Sequence, residues 1–379
     1  MPDAKNTTVN DGVKMQEFIV IFISAFVALF LARKAAMSVG LVDKPNVRKK
    51  HQGHIPLVGG VSIYLALWVL YLLQPDWLPD FSLYMICATA LLVVGVLDDR
   101  FDLPVLPRVG LQAAVAGLMM FAGLYLETLG HVLFGYELFL GIFGYTVTLF
   151  AVWGAINAFN MVDGIDGLLG ALSCVTFGAL AMVFYFGGHH ELALWSACLL
   201  AATLPYILLN LGILWGRKFK VFMGDAGSTL IGFTVIWLLM LATQGENAVI
   251  RPVTALWLIA VPLMDMVTIM VRRIRRGDSP FKPDREHLHH ILMRAGLTPH
   301  QALVVILLVA MLFSAIGILG ERIRIAESIM FSVFLMAFCG YFWMISRIWR
   351  VLTWFRRTIR GSSSSVTSAD KNGTTPLKR

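Results

Sequence analysis

The amino-acid sequence predicts an all-α, polytopic integral membrane protein with about 11 transmembrane helices, its N-terminus outside and its C-terminus in the cytoplasm. Three observations predict it. Of 379 residues, 58% are hydrophobic and only 14% are charged, whereas a soluble domain carries roughly 25% charged residues. Apolar runs of about 17–25 residues recur along the chain, each long enough to cross a hydrocarbon core about 30 Å thick. The connections between these runs fall into two sets, one rich in Lys and Arg and one poor in them.

The runs lie at 17–33, 57–74, 82–97, 109–127, 138–158, 168–187, 191–211, 226–243, 252–271, 301–319 and 326–345. The first leads into Arg33-Lys34 with no small-residue cleavage pattern, so it reads as a span and not as a removable leader. Only "GGHHE" separates the sixth run from the seventh. The basic connections include "RKAAMSVGLVDKPNVRKKHQGH", "DDRFDLPVLPR", "WGRKFK" and "RRIRRGDSPFKPDREHLHH". Alternating spans put all of these on one side, which the positive-inside rule makes cytoplasmic. In the other set only "GERIRIAE" carries two arginines, Arg322 and Arg324, against the rule.

Three stretches follow: a polar N-terminal segment at 1–16, a membrane-embedded domain at 17–350, and a basic, then Ser/Thr-rich, tail at 351–379. The tail's composition supports no packed core and predicts disorder. The net charge of +8 is accounted for by basic loops facing anionic headgroups, at about 1 kcal/mol per residue. No nucleic-acid-reading motif is present. Cys87, Cys174, Cys198 and Cys339 stand singly in apolar runs, the pattern of packing thiols.

Polar residues concentrate where the basic connections meet the spans. The stretches are "HQGHIPLVGG" (His51 to Gly60), "LDDRFD" (Leu97 to Asp102), "NAFNMVDGIDGL" (Asn157 to Leu168), "VFMGDAGS" (Val221 to Ser228) and "DREHLHH" (Asp284 to His290). Intramembrane polar groups cost several kcal/mol unless partnered. Five such clusters on one face imply one shared site at the membrane surface.

Asp98 and Asp99 are adjacent, so on a helix they point about 100° apart and can serve two partners. Gly164 and Gly167, interleaved with Asp163 and Asp166, predict a loop entering the sixth run. Asp225 sits at the expected N-terminus of the eighth helix, where free N–H groups attract a phosphate or a carboxylate. By itself Asp225 would read as a helix cap. Hard oxygen ligands without cysteine point to Mg²⁺ or Mn²⁺. His287, His289 and His290 lack the HExxH spacing and the cysteines of a zinc site. Acids, metal, His and Arg donors at headgroup level suit phosphoryl transfer to a lipid phosphate from a soluble activated phosphate. The rival is a membrane prenyltransferase reading "DDRFD" as DDxxD, which leaves "VFMGDAGS" and "HLHH" unexplained.

In order and spacing, these five motifs resemble those of the polyprenyl-phosphate N-acetylhexosamine-1-phosphate transferases, over residues 18–350. "LARKAAMSVGLVDKPN", "HLHH" and "IPLVGG" resemble the bacterial branch acting on undecaprenyl phosphate and UDP-GlcNAc, and differ from the muramoyl-pentapeptide branch. The resemblance implies transfer of GlcNAc-1-phosphate from UDP-GlcNAc to undecaprenyl phosphate, with UMP released. It implies an inner-membrane enzyme with a periplasmic N-terminus, at the first membrane step of enterobacterial common antigen or O-antigen lipopolysaccharide assembly. It leaves a homo-oligomer open.

The resemblance also distributes roles. Asp225 and Asn160, with Asp98 and Asp99, fall on the metal. Asp98, Asp99, Asp163, Asp166, His287, His289 and His290 fall on the catalytic set. Asn157, Asn160, Phe222, Asn210, His51, Arg108 and Arg285 fall on the substrates, with Phe222 stacking on uracil.

Overall fold

In the computed structural model the chain is helical along most of its length. The structure describes residues 4–44, 53–133, 135–245, 248–280 and 286–368. The helices are α1 (Ala4–Val39), α2 (Gly59–Leu73), α3 (Phe81–Phe101), α4 (Val105–Phe121), α5 (Phe143–Val162), α6 (Leu168–Phe186), α7 (His190–Asn210), α8 (Gly224–Thr243), α9 (Pro252–Leu258), α10 (Ala260–Arg275), α11 (Leu288–Arg294), α12 (Pro299–Arg322) and α13 (Glu327–Ser368). A short antiparallel hairpin, β1 (Val42–Asp43) with β2 (Ile55–Pro56), joins α1 to α2.

Each of the 11 runs contains a helix, and the chain is a multi-pass membrane protein. Eight helices are long and apolar enough to cross a bilayer: α1 from Gln16, α3, α5, α6, α7, α8, α12, and α13 to Arg347. Helices α2 and α4 have only 15 and 17 residues, below and at the lower end of the roughly 17–25 that a span needs. The ninth run is broken, with α9 and α10 meeting at 82°. Pro262 has no N–H for the carbonyl of Leu258, four residues back, and α9 ends at Leu258. Hydropathy does not register this break, because both halves are apolar.

Helix α8 is the axis of the bundle. Its apolar stretch is 94% buried, against 22% for α1 and 17% for α13. It packs against α2, α3, α5 and α6. The approach is closest at its first turns: a Cβ added to Gly60 would lie 2.2 Å from the Gly227 Cα, and one added to Gly95 would lie 2.3 Å from the Ala226 Cα. Small residues on both sides let the backbones meet, the usual solution between apolar helices in lipid. Deeper in the core, Tyr84 stacks on Phe233 with centroids 5.5 Å apart and meets Trp195 and Trp237 edge-on. Its hydroxyl is satisfied by Thr234 Oγ1 at 2.7 Å.

The same packing fixes the far end of the bundle. Gln244, at the end of α8, accepts the Glu127 N–H at 3.1 Å and donates to the Thr128 carbonyl at 3.2 Å. Arg251, ahead of α9, donates to both oxygens of Glu321 at 3.1 Å. The near end, where α3, α5 and α10 finish and α8 begins, carries the polar clusters.

Candidate active site

Backbone pairing builds the floor of the site. Phe222 N donates to the Pro56 carbonyl at 2.9 Å, while the Phe222 carbonyl accepts from Val58 N at 3.1 Å and Gly59 N at 3.0 Å. "HIPLVGG" and "VFMGD" are thereby laid side by side, 165 residues apart at the Leu57–Phe222 bridge. Asn210, at the end of α7, is 2% exposed. Its Oδ1 accepts the Gly167 N–H at 2.5 Å and its Nδ2 donates to the Val221 carbonyl at 2.7 Å. One amide thus ties the entry to α6 to the strand ahead of α8.

Above this floor opens a cavity of about 790 Å³. Asp98, Asp99, Asn160, Asp163, Asp166, Asn210, Phe222 and Asp225 all line it. Asp99 accepts from the N–H groups of Asp225 at 2.8 Å and Ala226 at 3.2 Å. The anion expected at the N-terminus of α8 is therefore a carboxylate of this chain. Asp98 accepts the Leu103 N–H at 2.8 Å and pairs with Arg108 Nη1, which also lies 4.0 Å from Asp225 Oδ2. Asn160 Nδ2 donates to Asp225 Oδ1 and to Ser228 Oγ, both at 2.8 Å. The Asp225 side chain is 46% exposed. Asp166 pairs with Lys220 Nζ at 2.5 Å, and that ammonium sits 5.2 Å from the Phe222 ring centre.

The histidines form a second module at the edge of the cavity. His287 Nδ1 donates to Asp265 Oδ2 at 2.7 Å; Asp265 Oδ1 accepts from Leu288 N at 3.0 Å and from Tyr341 Oη at 2.7 Å. A carboxylate on Nδ1 fixes a proton there and orients the ring, with Nε2 turned away from Asp265. His289 stacks beside His287 with ring centres 5.8 Å apart, and beside His290 at 4.2 Å. It is 2% exposed and its Nε2 has no hydrogen-bond partner. Burial first, then the neighbouring imidazoles, pushes its pKa down to about 3. Only glycine fits at 164, because a Cβ there would lie 2.1 Å from that nitrogen.

Not every candidate reaches the cavity. Asn157 does not line it; its Nδ2 turns back to the Trp153 carbonyl at 2.8 Å, one turn earlier in α5. Two asparagines three residues apart share a helix face only approximately, and Asn160 is the one at the helix end. His287, His289 and His290 flank the cavity without lining it. His51 and Arg285 lie outside the described residues. Sequence reasoning does not single out Ser228, Lys220 or Tyr341. Lys220 has a signal, since it directly precedes "VFMGD"; Tyr341, 76 residues from Asp265, has none.

Among the described residues, no three His, Cys, Asp or Glu side chains gather closely enough to cage a metal ion. The four expected ligands divide instead. Asp99 faces the amides of α8, and Asn160 turns its N–H groups to Asp225. Asp98 has both oxygens engaged, by Leu103 N and Arg108 Nη1, and Asp225, its side chain 46% exposed, remains as the open hard-oxygen donor. That donor fits Mg²⁺, which holds to one or two carboxylates and completes its shell with water and substrate phosphates.

A bundle whose helix ends bring carboxylates, amides and histidines to one cavity defines a membrane-embedded transferase, and residues 81–243 match the family described as Glycosyl transferase family 4. The undecaprenyl-phosphate alpha-N-acetylglucosaminyl 1-phosphate transferase of Yersinia pestis is 56% identical over 354 residues, 92% of this chain and 97% of its own. The protein of the same name from Escherichia coli (strain K12) is 56% identical over 346 residues, 91% and 94%. That from Haemophilus influenzae is 50% identical over 347 residues, 91% and 98%. The chain belongs to the family of polyprenyl-phosphate N-acetylhexosamine-1-phosphate transferases.

Proposed function

We propose that this protein transfers GlcNAc-1-phosphate from UDP-GlcNAc to undecaprenyl phosphate, releasing UMP and leaving undecaprenyl-diphospho-GlcNAc in the membrane. The observation that carries the reading is the meeting of Asp98, Asp99, Asn160 and Asp225, from α3, α5 and α8, in one open cavity at the ends of spans, with Arg108 paired to Asp98 beside it. A lipid phosphate can enter such a site while its chain stays in the bilayer. The names of relatives covering nearly the whole chain support the same acceptor and the same transferred group.

The acceptor is a phosphate monoester with a second pKa near 6, so at neutral pH it is largely a dianion. It needs no strong base, and attack on the β-phosphorus can be direct. One acceptor oxygen forms the new P–O bond; the bond from the β-phosphorus to the bridging oxygen breaks, and that electron pair leaves with UMP. Mg²⁺, held by Asp225, would screen the diphosphate charge. Arg108, between Asp98 and Asp225, is placed to meet the acceptor phosphate. Asp98 orients that acceptor or takes its residual proton. Phe222, with Lys220 over its ring, offers a stacking face to uracil, and the histidine module faces the diphosphate. In this reading the end with the basic connections faces the cytoplasm, as the positive-inside rule favours, and the enzyme acts in a bacterial inner membrane at the first membrane step of a cell-surface polysaccharide.

Purified protein with undecaprenyl phosphate, Mg²⁺ and a panel of UDP-sugars tests the reading, with UMP release and the lipid followed by mass spectrometry. UMP together with a lipid heavier by one GlcNAc-phosphate is expected. Diphosphate release from an isoprenoid diphosphate, without UMP, would favour the prenyltransferase. Against that rival, α3 stops at Phe101 and Asp102 has φ 54°, so the DDxxD carboxylates do not share one helix. UMP released stoichiometrically without lipid would replace direct attack by a covalent aspartyl intermediate.

A further inference from the structure

The two arginines that break the charge pattern lie at the end of the bundle remote from the cavity. Helix α6 starts at the site and runs 19 residues to Phe186, about 28 Å. There a second cavity, of about 320 Å³, opens between α6, the segment ahead of α9 and the end of α12. Arg322, Arg324 and His189 line it, and among the described residues Glu321 is its one carboxylate. Glu321 is already engaged, by Arg251 Nε at 3.1 Å, Arg251 N at 3.1 Å and Thr254 Oγ1 at 2.7 Å. Arg322 lies over the Phe186 ring at 4.2 Å, and among the described residues neither it nor Arg324 has a carboxylate partner.

Phe186 is also the wall of a neighbouring apolar groove of about 620 Å³ between α6 and α7. Ala181, Ala193 and Ala197 leave that groove open, and it extends from His190 to Ala197 along α7, about 10 Å. Tyr185, Phe186 and His190 cluster at its mouth with ring centres 5.2–5.9 Å apart. A tyrosine at the end of a span, as Tyr185 is here, is typical of the headgroup level.

We propose that this end of the bundle binds an anionic glycerophospholipid of the leaflet opposite the active cavity, its phosphate between Arg322 and Arg324 and an acyl chain in the α6–α7 groove. Two cations with no partner carboxylate among the described residues, next to an apolar groove that holds about eight methylenes, match one phosphodiester with the upper part of one tail. The proposal does not depend on the transferase reading. It accounts for Arg322 and Arg324 on a side where the other arginine, Arg251, is neutralised by Glu321.

Native mass spectrometry tests it, on lipid-stripped full-length protein offered equimolar phosphatidylglycerol and phosphatidylcholine. Phosphatidylglycerol adducts are expected to exceed phosphatidylcholine adducts about fivefold, the effect of roughly 1 kcal/mol of headgroup attraction. The double variant R322Q/R324Q, both positions exposed, brings the ratio near one, and Ala197→Phe lowers phosphatidylglycerol adducts by filling the groove. Equal retention of the two lipids by the parent protein, or a preference that survives R322Q/R324Q, overturns the proposal. Displacement of phosphatidylglycerol by millimolar inorganic phosphate, with Ala197→Phe silent, reduces the site to a simple anion site and overturns the lipid assignment.

Discussion

Asp225, its side chain 46% exposed, is held by Asn160 on one side and lies 4.0 Å from Arg108 on the other. Replacing it by asparagine keeps the shape and removes the charge. Asp225→Asn is expected to lower turnover about a hundredfold or more, the scale of losing one preorganised electrostatic partner, with little rescue by high Mg²⁺. Near-normal turnover in a steady-state UMP assay would remove Asp225 from the metal-holding set. His289 makes a different prediction, about stability. Its folded pKa of about 3 lies below the usual value near 6.5, so between these pH values the unfolded chain binds more protons. Stability then falls as pH drops below about 6.5, by roughly 2 kcal/mol at pH 5 from this residue alone. Thermal unfolding of the parent and of His289→Gln checks it: the variant should lose less stability between pH 7 and pH 5.

At the scale of elements, two contacts join distant helices to the site. Tyr341 on α13 donates to Asp265 on α10, which in turn holds His287 and the start of α11. Removing one hydrogen bond to a buried carboxylate costs about 1–3 kcal/mol. Tyr341→Phe should lower the melting temperature and reduce kcat about tenfold, with the KM for UDP-GlcNAc little changed; an unaltered kcat means the histidine module stands without α13. Gly60 is the second contact, because an added Cβ meets the Gly227 backbone at 2.2 Å. Overpacking of this kind costs typically 1–3 kcal/mol. Gly60→Ala should push α2 from α8, loosen the Leu57–Phe222 bridge and raise the KM for the nucleotide sugar. A variant with parental KM and melting temperature would show that the two helices can slide apart freely.

For the whole molecule, sidedness is the property that ties the cavity to its substrates. Cysteines placed at exposed Gly53, near the site, and exposed Gly188, at the far end, in a background with Cys339 replaced, should react with a membrane-impermeant thiol reagent from opposite sides. Gly53 is expected to be accessible from the cytoplasm and Gly188 from the periplasm. Labelling of both from one side would undo the alternation of spans on which the orientation rests.

The sequence by itself determined the class of molecule and the membership of the site. Hydropathy and loop charge are properties of consecutive residues, so the apolar runs, the common side of five polar clusters, and Asp98, Asp99, Asn160 and Asp225 as neighbours were all legible. Tertiary structure alone decided which partner each polar group takes. Asp99 caps α8 across 126 residues, Asn160 reaches Asp225 while Asn157 returns to its own helix, and Asn210 bridges two backbones. The break between α9 and α10 and the link from Tyr341 to Asp265 belong to the same group. Side-chain identity sets what a group can bond, but the bond it makes depends on which backbones approach within 3 Å, and that distance is set by packing around α8.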